Sequence, residues 1–373
     1  MKFSILQKDL LKVLSDVQSV VERRNSIPIL ANIKVEAQAD EVKLTATDLD
    51  IVIEETAKSD VEQEGTLTIP AQRFFDIVRK LHENDKIKIS SDAETKQITI
   101  KAGRSTFKLS YIESEQYPII KQEENATSFK VNSKSLFNLF NRAQFAMSRE
   151  ETRYYLNGVY FHVATSTNEN KVLRAVATDG HRLARLEIPM PEGAENMRGV
   201  IVPRKTVLEL RRLLDGLDLP VEVQVSESKI SFKFAGTEII SKIIDGTFPD
   251  YERAIPTNNN ITAIIDTKLL LSAVDRVSAI SEDKVRGIRF SFNNDKLSLS
   301  TKGNDADLAV EEVELEGSLP DFSIGFNSRY TYEMLSQFVK EKNQFSFNDS
   351  NSPTIVEEVG DNSALFVLMP MRF

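Results

Sequence analysis

Residues 3–24, FSILQKDLLKVLSDVQSVVERR, recur twice more in this chain, and that recurrence constrains the fold more than any other feature. Residues 129–150 read FKVNSKSLFNLFNRAQFAMSRE, and residues 263–284 read AIIDTKLLLSAVDRVSAISEDK. Superposed without a gap, they put Lys8, Lys134 and Lys268 in one column and Leu10, Leu136 and Leu270 in the next. Further columns hold Leu11, Phe137 and Leu271; then Leu14, Phe140 and Val274; then Val17, Ala143 and Val277. Steps of three and four residues place these columns on one helical face, behind a short alternating strand. Ser133 and Thr267 stand where an N-cap hydroxyl would accept from the first free amides, and Gln7 fills that column less well. Each copy reads as a strand followed by an amphipathic helix.

The repeat continues. Paired strands are expected over 32–35 and 42–47, 158–163 and 172–178, and 287–292 and 296–301. Polar turns follow at Asp48-Leu49-Asp50, at Asp179-Gly180-His181 and near 303–305. Short strands over 67–70, 200–203 and 324–327 then enter second helices, ending near Leu81, Leu214 and Val339. Pro70 and Pro203 suit a first helical turn, where no amide donor is needed. Three closing strands complete each copy: 86–90, 97–101 and 106–111; 221–225, 229–234 and 238–244; 344–347, 354–359 and 364–369. A period of about 125–135 residues means repeated whole domains, not a short-repeat solenoid. The expected domains are 1–125, 126–254 and 255–373, each α+β with helices against one face of a mainly antiparallel sheet. Free N- and C-terminal edges on such an array favour a head-to-tail contact between copies, giving a closed ring or an open fibre.

A length of 373 residues exceeds what one core usually supports, in keeping with several domains. Cysteine is absent, which excludes disulfides and thiolate metal sites. Lys8 and Asp9 break the first apolar run too early for a signal peptide, and no run reaches membrane-spanning length, so the expected location is cytoplasmic with no membrane partner. The formal net charge of −9, taken alone, disfavours a nucleic-acid partner. Yet the six expected helical stretches together carry +11, which leaves −20 on the rest. Basic helices on one surface and acidic strands and loops on another are the implied arrangement.

Catalytic signatures are sparse. His82, His162 and His181 lie in unrelated contexts, without HExxH or any metal spacing, and no phosphate-cradling glycine loop is present, so no metal or cofactor is expected. Asp48, Asp50 and Asp179 read as turn formers. An acid–base enzyme using Asp179, His181 and Asp48 is the rival from another class; loss of turnover in His181→Ala would support it. A peptide-binding scaffold that never meets DNA is a third reading.

The segment TDGHRLA at 178–184 resembles the bacterial sliding clamps, the beta subunits of DNA polymerase III. The resemblance extends over the whole chain: the MKF start, Pro28-Ile29-Leu30, Thr47-Asp48-Leu49, Phe74-Phe75-Asp76-Ile77, RYYLNG at 153–158, Val202-Pro203-Arg204-Lys205, DGTFPDY at 245–251 and Met369-Pro370-Met371-Arg372. It implies three domains of one fold per subunit in a non-catalytic head-to-tail homodimer, with helices lining a hole around duplex DNA and sheets outside.

By that resemblance Arg24, Arg73, Arg204 and Lys205 lie near DNA, and the repeat adds Arg149. Glu150 departs from the neutral polar residue that relatives carry in a DNA-facing loop. The resemblance also implies a hydrophobic groove for short peptides of the replicative polymerase alpha subunit, other polymerases, the clamp loader and mismatch-repair proteins. Its matching positions are Leu156, Thr178, Gly180, His181, Arg182, Leu183, Pro249, Arg253, Val367, Leu368, Met369, Pro370, Met371 and Arg372. Ala254, Pro353 and Phe373 depart from the family at this groove. The implied dimer contact sets the edge strand bearing Phe107 and Leu109 against the helix end at Ala279 and Ile280.

Overall fold

The computed structural model describes residues 1–22, 27–121, 123, 125–281, 286–302 and 307–372. Six α-helices occur among them: α1 (Gln7–Gln18), α2 (Ala71–Arg79), α3 (Ser133–Ala143), α4 (Arg204–Leu214), α5 (Thr267–Ser278) and α6 (Ser328–Leu335). α6 stops four residues short of the expected Val339.

Three equivalent hydrogen bonds make the repeat visible at atomic level. The first helical amide of Gln7, Ser133 and Thr267 donates to Asp85 O at 2.9 Å, Leu219 O at 2.9 Å and Glu341 O at 2.8 Å. The side chains of that column do the same job. Gln7 Nε2 donates to Val78 O, Ser133 Oγ donates to Leu217 O, and Thr267 Oγ1 accepts from Asn343. Ser133 and Thr267 are therefore not the caps. The capping oxygens belong to the preceding column, where Asn132 accepts from Lys134 N and Asp266 from Leu269 N; Leu6 offers none.

Leu10, Leu14 and Val17, and their counterparts Leu136, Phe140, Ala143, Leu270, Val274 and Val277, are buried as the spacing predicts. Leu11, Phe137 and Leu271 are only half-buried, and Val13, Leu139 and Ala273 take their place in the core. Each buried Val, Leu or Phe of these columns contributes about 1.5–3 kcal/mol by leaving water.

The strands outnumber the expectation. Ile51–Lys58 and Arg182–Pro189 follow the turns at 48–50 and 179–181 as strands that periodicity did not reveal, and the first half of Leu308–Asn327 is a third. The expected turn near 303–305 lies outside the described residues, and the expected pair 287–292 and 296–301 is instead one strand, Gly287–Lys302, along Leu308–Asn327. The described chain divides into two compact units, one of Met1–Lys134, Pro191–Met197 and Leu208–Ile243, the other of Ser135–Met190, Arg198–Val207 and Ile244–Phe373. The first holds a five-stranded and an eight-stranded antiparallel sheet; the second holds a ten-stranded one.

Two units arise from three repeats because sheets run across repeat boundaries. In the first unit Thr237–Lys242 of the second repeat pairs with Ile51–Lys58 of the first. In the second, Asp361–Leu368 of the third repeat pairs with Arg182–Pro189 of the second.

Candidate functional site

The turn at 178–182 is built from its own side chains. Thr178 Oγ1 donates to Arg182 O at 2.8 Å and accepts from Gly180 N, while Asp179 Oδ1 accepts from His181 N and Arg182 N at 2.9 and 3.1 Å. Thr47 and Asp48 repeat the pattern, with Asp48 Oδ1 accepting from Asp50 N and Ile51 N at 2.9 Å each. The third position has φ of +86° at Gly180 and +83° at Leu49, a left-handed conformation that glycine adopts without strain. Both carboxylates are thus occupied in shaping turns. The acid–base reading thus loses both carboxylates to turn formation.

Beyond this turn, Leu156, Val176, Leu183, Ile201, Phe248, Tyr251, Leu365 and Val367 form one apolar cluster within the second unit. Three expected groove residues, Leu156, Leu183 and Val367, are 4, 3 and 2% exposed, so they belong to the packed cluster rather than to an open lining. Leu368 is fully buried; Thr178, Pro370 and Met371 are half-buried. Gly180, His181, Pro249, Arg253, Met369 and Arg372 are exposed, and Arg253 pairs with Asp250 at 2.8 Å.

Arg182 departs from the expectation. Successive strand residues face opposite sides of a sheet, so it points away from its neighbour Leu183. Its guanidinium lies 5.0 Å from the Phe145 ring centre and 4.3 Å from that of Tyr330, paired with Asp179 at 3.0 Å and Glu333 at 2.6 Å. There it helps line a cleft of about 430 Å³ together with His181, Arg149, Arg204 and Arg329. The acids of this cleft are already engaged: Glu150 with Arg153 at 2.6 Å, Glu333 with Arg329 at 2.7 Å as well as Arg182. Burial, then repulsion from Arg149 and Arg182, pushes the Arg204 guanidinium below its ordinary pKa. Such a desolvated, under-neutralised cluster attracts anions.

Arg329 was missed by sequence reasoning. Its signal lay in the repeat, where it stands in the column of Lys205, two residues after the strand end at Pro203 or Asn327.

Lys205 is half-buried near the start of α4, and Arg73 is exposed on α2. Arg24 lies outside the described residues, as does Phe373. Over the observed bounds the positive bias survives on α2 to α5, while α1 and α6 carry equal numbers of acids and bases. Phe107 and Leu109 are half-buried on Ser105–Ser110, the last strand of the five-stranded sheet. Ala279 and Ile280 follow α5, exposed and half-buried.

Family models of the DNA polymerase III beta subunit match throughout: its N-terminal domain over residues 1–121, its central domain over 130–250 and its C-terminal domain over 252–372. The beta sliding clamp of Caulobacter vibrioides is 42% identical over 372 residues, and that of Escherichia coli K12 33% over 373, each alignment covering all of both chains. A crystal structure of the Caulobacter crescentus beta sliding clamp, with PEG bound to a putative beta-motif tethering region, superposes with a TM-score of 0.97 at 42% identity. It covers 100% of this chain and 99% of that one. A Pseudomonas aeruginosa sliding clamp bound to griselimycin gives 0.94 at 34%, covering both chains fully.

Proposed function

This chain belongs to the DNA polymerase III beta subunit family, the bacterial beta sliding clamps, and we propose on that premise how its residues perform a clamp's work. It is a non-catalytic processivity factor of DNA replication. The mechanism is topological: two copies close head to tail around duplex DNA, and a polymerase tethered to the ring stays on the template because leaving requires the ring to open. Affinity at each phosphate contact can then stay low, which permits sliding.

One observation carries the closure. Within the chain, each repeat passes to the next through the same backbone pairing, Ile53 opposite Ile239 and Ala184 opposite Phe366. A third junction of that kind needs strand 308–314 of one copy and Ser105–Ser110 of another. Counting from Thr47, Thr178 and Thr301, whose cross-strand partners are Val52, Leu183 and Ala309, Leu308 occupies the place of Ile51 and Arg182. The equivalent register sets Val310 against Phe107 and Leu308 against Leu109. Leu308 and Val310 are 60 and 56% exposed, an apolar edge that a second copy would cover. Ala279 and Ile280 flank this contact by family resemblance.

The proposed domain boundaries lie near residues 125 and 255; the family models that motivate a three-domain division span 1–121, 130–250 and 252–372. Arg73, Arg149, Arg204 and Lys205, with Arg24, are the proposed phosphate contacts. The apolar recess between Pro249 and the C-terminal residues 369–372 is the proposed seat of partner peptides; the griselimycin complex of the Pseudomonas clamp is in keeping with a ligand-binding recess. No described helix is long and apolar enough to cross a membrane, and the proposed location is the cytoplasm.

Loading the protein onto nicked circular DNA with its clamp loader, raising the salt and then linearising tests the topology. Retention on circles and loss on linearisation are expected. Equal retention on open-ended linear DNA overturns the reading.

A further inference from the structure

Segment 248–254 supplies Pro249 and Arg253 to the proposed recess, yet it contains only a single 3-10 turn, Tyr251–Ala254. A turn that short does not hold itself in place. What holds it lies beneath. Phe248 stacks on Tyr160 at 5.0 Å, Tyr160 stacks on His162 at 4.2 Å, and Tyr251 meets the His162 ring edge-on at 5.7 Å. Arg174, 4% exposed, ties the stack to the sheet. It donates to Tyr251 Oη at 2.7 Å, Glu252 Oε1 at 2.5 Å, Glu187 Oε1 at 3.0 Å and Thr165 O at 3.0 Å.

Tyr251 Oη also lies 3.0 Å from His162 Nε2. Burial and the Arg174 charge hold His162 down at about 4, so the ring is neutral at physiological pH. Burial pushes the Tyr251 phenol up to about 12, so it keeps its proton. Arg174 donates to the phenol oxygen, and Tyr251 Oη and His162 Nε2 share one hydrogen bond whose direction is set by the imidazole tautomer.

We infer that Tyr251 is a positioning residue for peptide binding: its hydroxyl, held between Arg174 and His162, fixes the wall that carries Pro249 and Arg253. This rests on the reading of the recess as the peptide seat. Neither Arg174 nor His162 belongs to the exposed rim of that recess, so their influence passes through Tyr251. A wall fixed before the partner arrives spares the complex the cost of ordering it.

The test is Tyr251→Phe, which keeps the ring in the apolar cluster and removes only the hydroxyl. The probe is a fluorescein-labelled, Leu- and Phe-containing C-terminal peptide of the replicative polymerase. Affinity is expected to fall about tenfold, the loss expected when a hydrogen bond to a buried charged group is removed. Leu14→Ala, a core truncation in the first unit, controls for stability and should leave affinity unchanged.

A second readout separates positioning from stability alone. In the parent protein peptide binding should shift the ring resonances of ¹⁵N-labelled His162; in Tyr251→Phe that shift should vanish. Should Tyr251→Phe fold poorly, Glu252→Gln, which weakens one acceptor of Arg174 at a half-exposed position, is expected to lower affinity about threefold. Unchanged affinity in Tyr251→Phe, or in Glu252→Gln where the first variant cannot be measured, overturns the inference, provided deletion of residues 369–373 still abolishes binding. If neither the substitution nor the deletion matters, the recess itself is misassigned.

Discussion

The main-chain amide of Met369 donates to the carbonyl oxygen of His181 at 2.9 Å, one step beyond the ladder pair of Leu368 and Arg182. Met371 N then donates to Gly325 O at 2.7 Å. Two backbone bonds thus hold an apolar chain end that would otherwise fray. Deleting residues 369–373 is expected to leave dimerisation and DNA encirclement intact while abolishing polymerase-peptide binding. Calorimetry with the peptide measures this. Unchanged affinity places the peptide seat elsewhere.

The proposed contact between copies has a definite register, and the absence of cysteine makes it easy to probe. Opposed residues of an antiparallel pair lie about 4.5–5.5 Å apart between Cα atoms across the strands, within disulfide reach. The double variant Leu109→Cys with Leu308→Cys should therefore form covalent dimers under mild oxidation. Leu109→Cys with Glu312→Cys, displaced by four residues, should not. Dimer bands on non-reducing gels read both, and the reverse outcome refutes the register.

Glu55 is 2% exposed on the strand Ile51–Lys58, with Lys12 Nζ at 3.9 Å. Burial, then the charge of Asp16, pushes its carboxyl up to about 7. A carboxyl whose folded pKa is raised binds its proton more tightly folded than unfolded. Its contribution is most favourable below the unfolded value near 4.5 and is lost as pH rises to 7. The cost above pH 7 is about 3 kcal/mol. Glu55→Gln should therefore match the parent at pH 4 and exceed it in urea resistance at pH 8. Equal differences at both pH values mean that Glu55 does not titrate in this range.

The repeat places a second cleft, of about 400 Å³, in the first unit. Its counterparts of Tyr160, His162 and Arg174 are Lys34, Glu36 and Lys43, fixed by the matching strand registers. Lys34 pairs with Glu36 at 3.1 Å, and Lys43 with Glu36 and Glu54 at 3.4 and 3.6 Å. Covering these ions with Leu and Phe side chains would strip their hydration without replacing it. Peptide titrations should saturate at one per chain. Pro249→Asp should abolish binding, whereas Pro118→Asp, its counterpart in the first unit, should have no effect. A second equivalent saturating below about 100 μM would contradict the charged-floor argument.

What the sequence determined by itself was the local part: three copies of strand and amphipathic helix, their buried columns from Leu10 to Val277, and the closing hairpins. Those follow from periodicity, which each residue expresses within a turn or two of its neighbours. The cap assignment slipped by one column because a serine and a threonine offered plausible hydroxyls beside the Asn132 and Asp266 that accept the bonds. The proposed site residues were named by resemblance, but their sorting was not legible. Arg182 and Leu183 are adjacent in sequence, yet Arg182 lines the cleft beside Tyr330 and Leu183 is buried in the apolar cluster, since a strand sends alternate side chains to opposite faces. Only the tertiary structure decided which strands join across repeats, because those joins are made by backbone amides and carbonyls that every residue carries. It also decided that Lys34, Glu36 and Lys43 meet at a cleft in the first unit while Leu183, Phe248 and Val367 cluster in the second, since that depends on residues brought together from strands far apart in the chain.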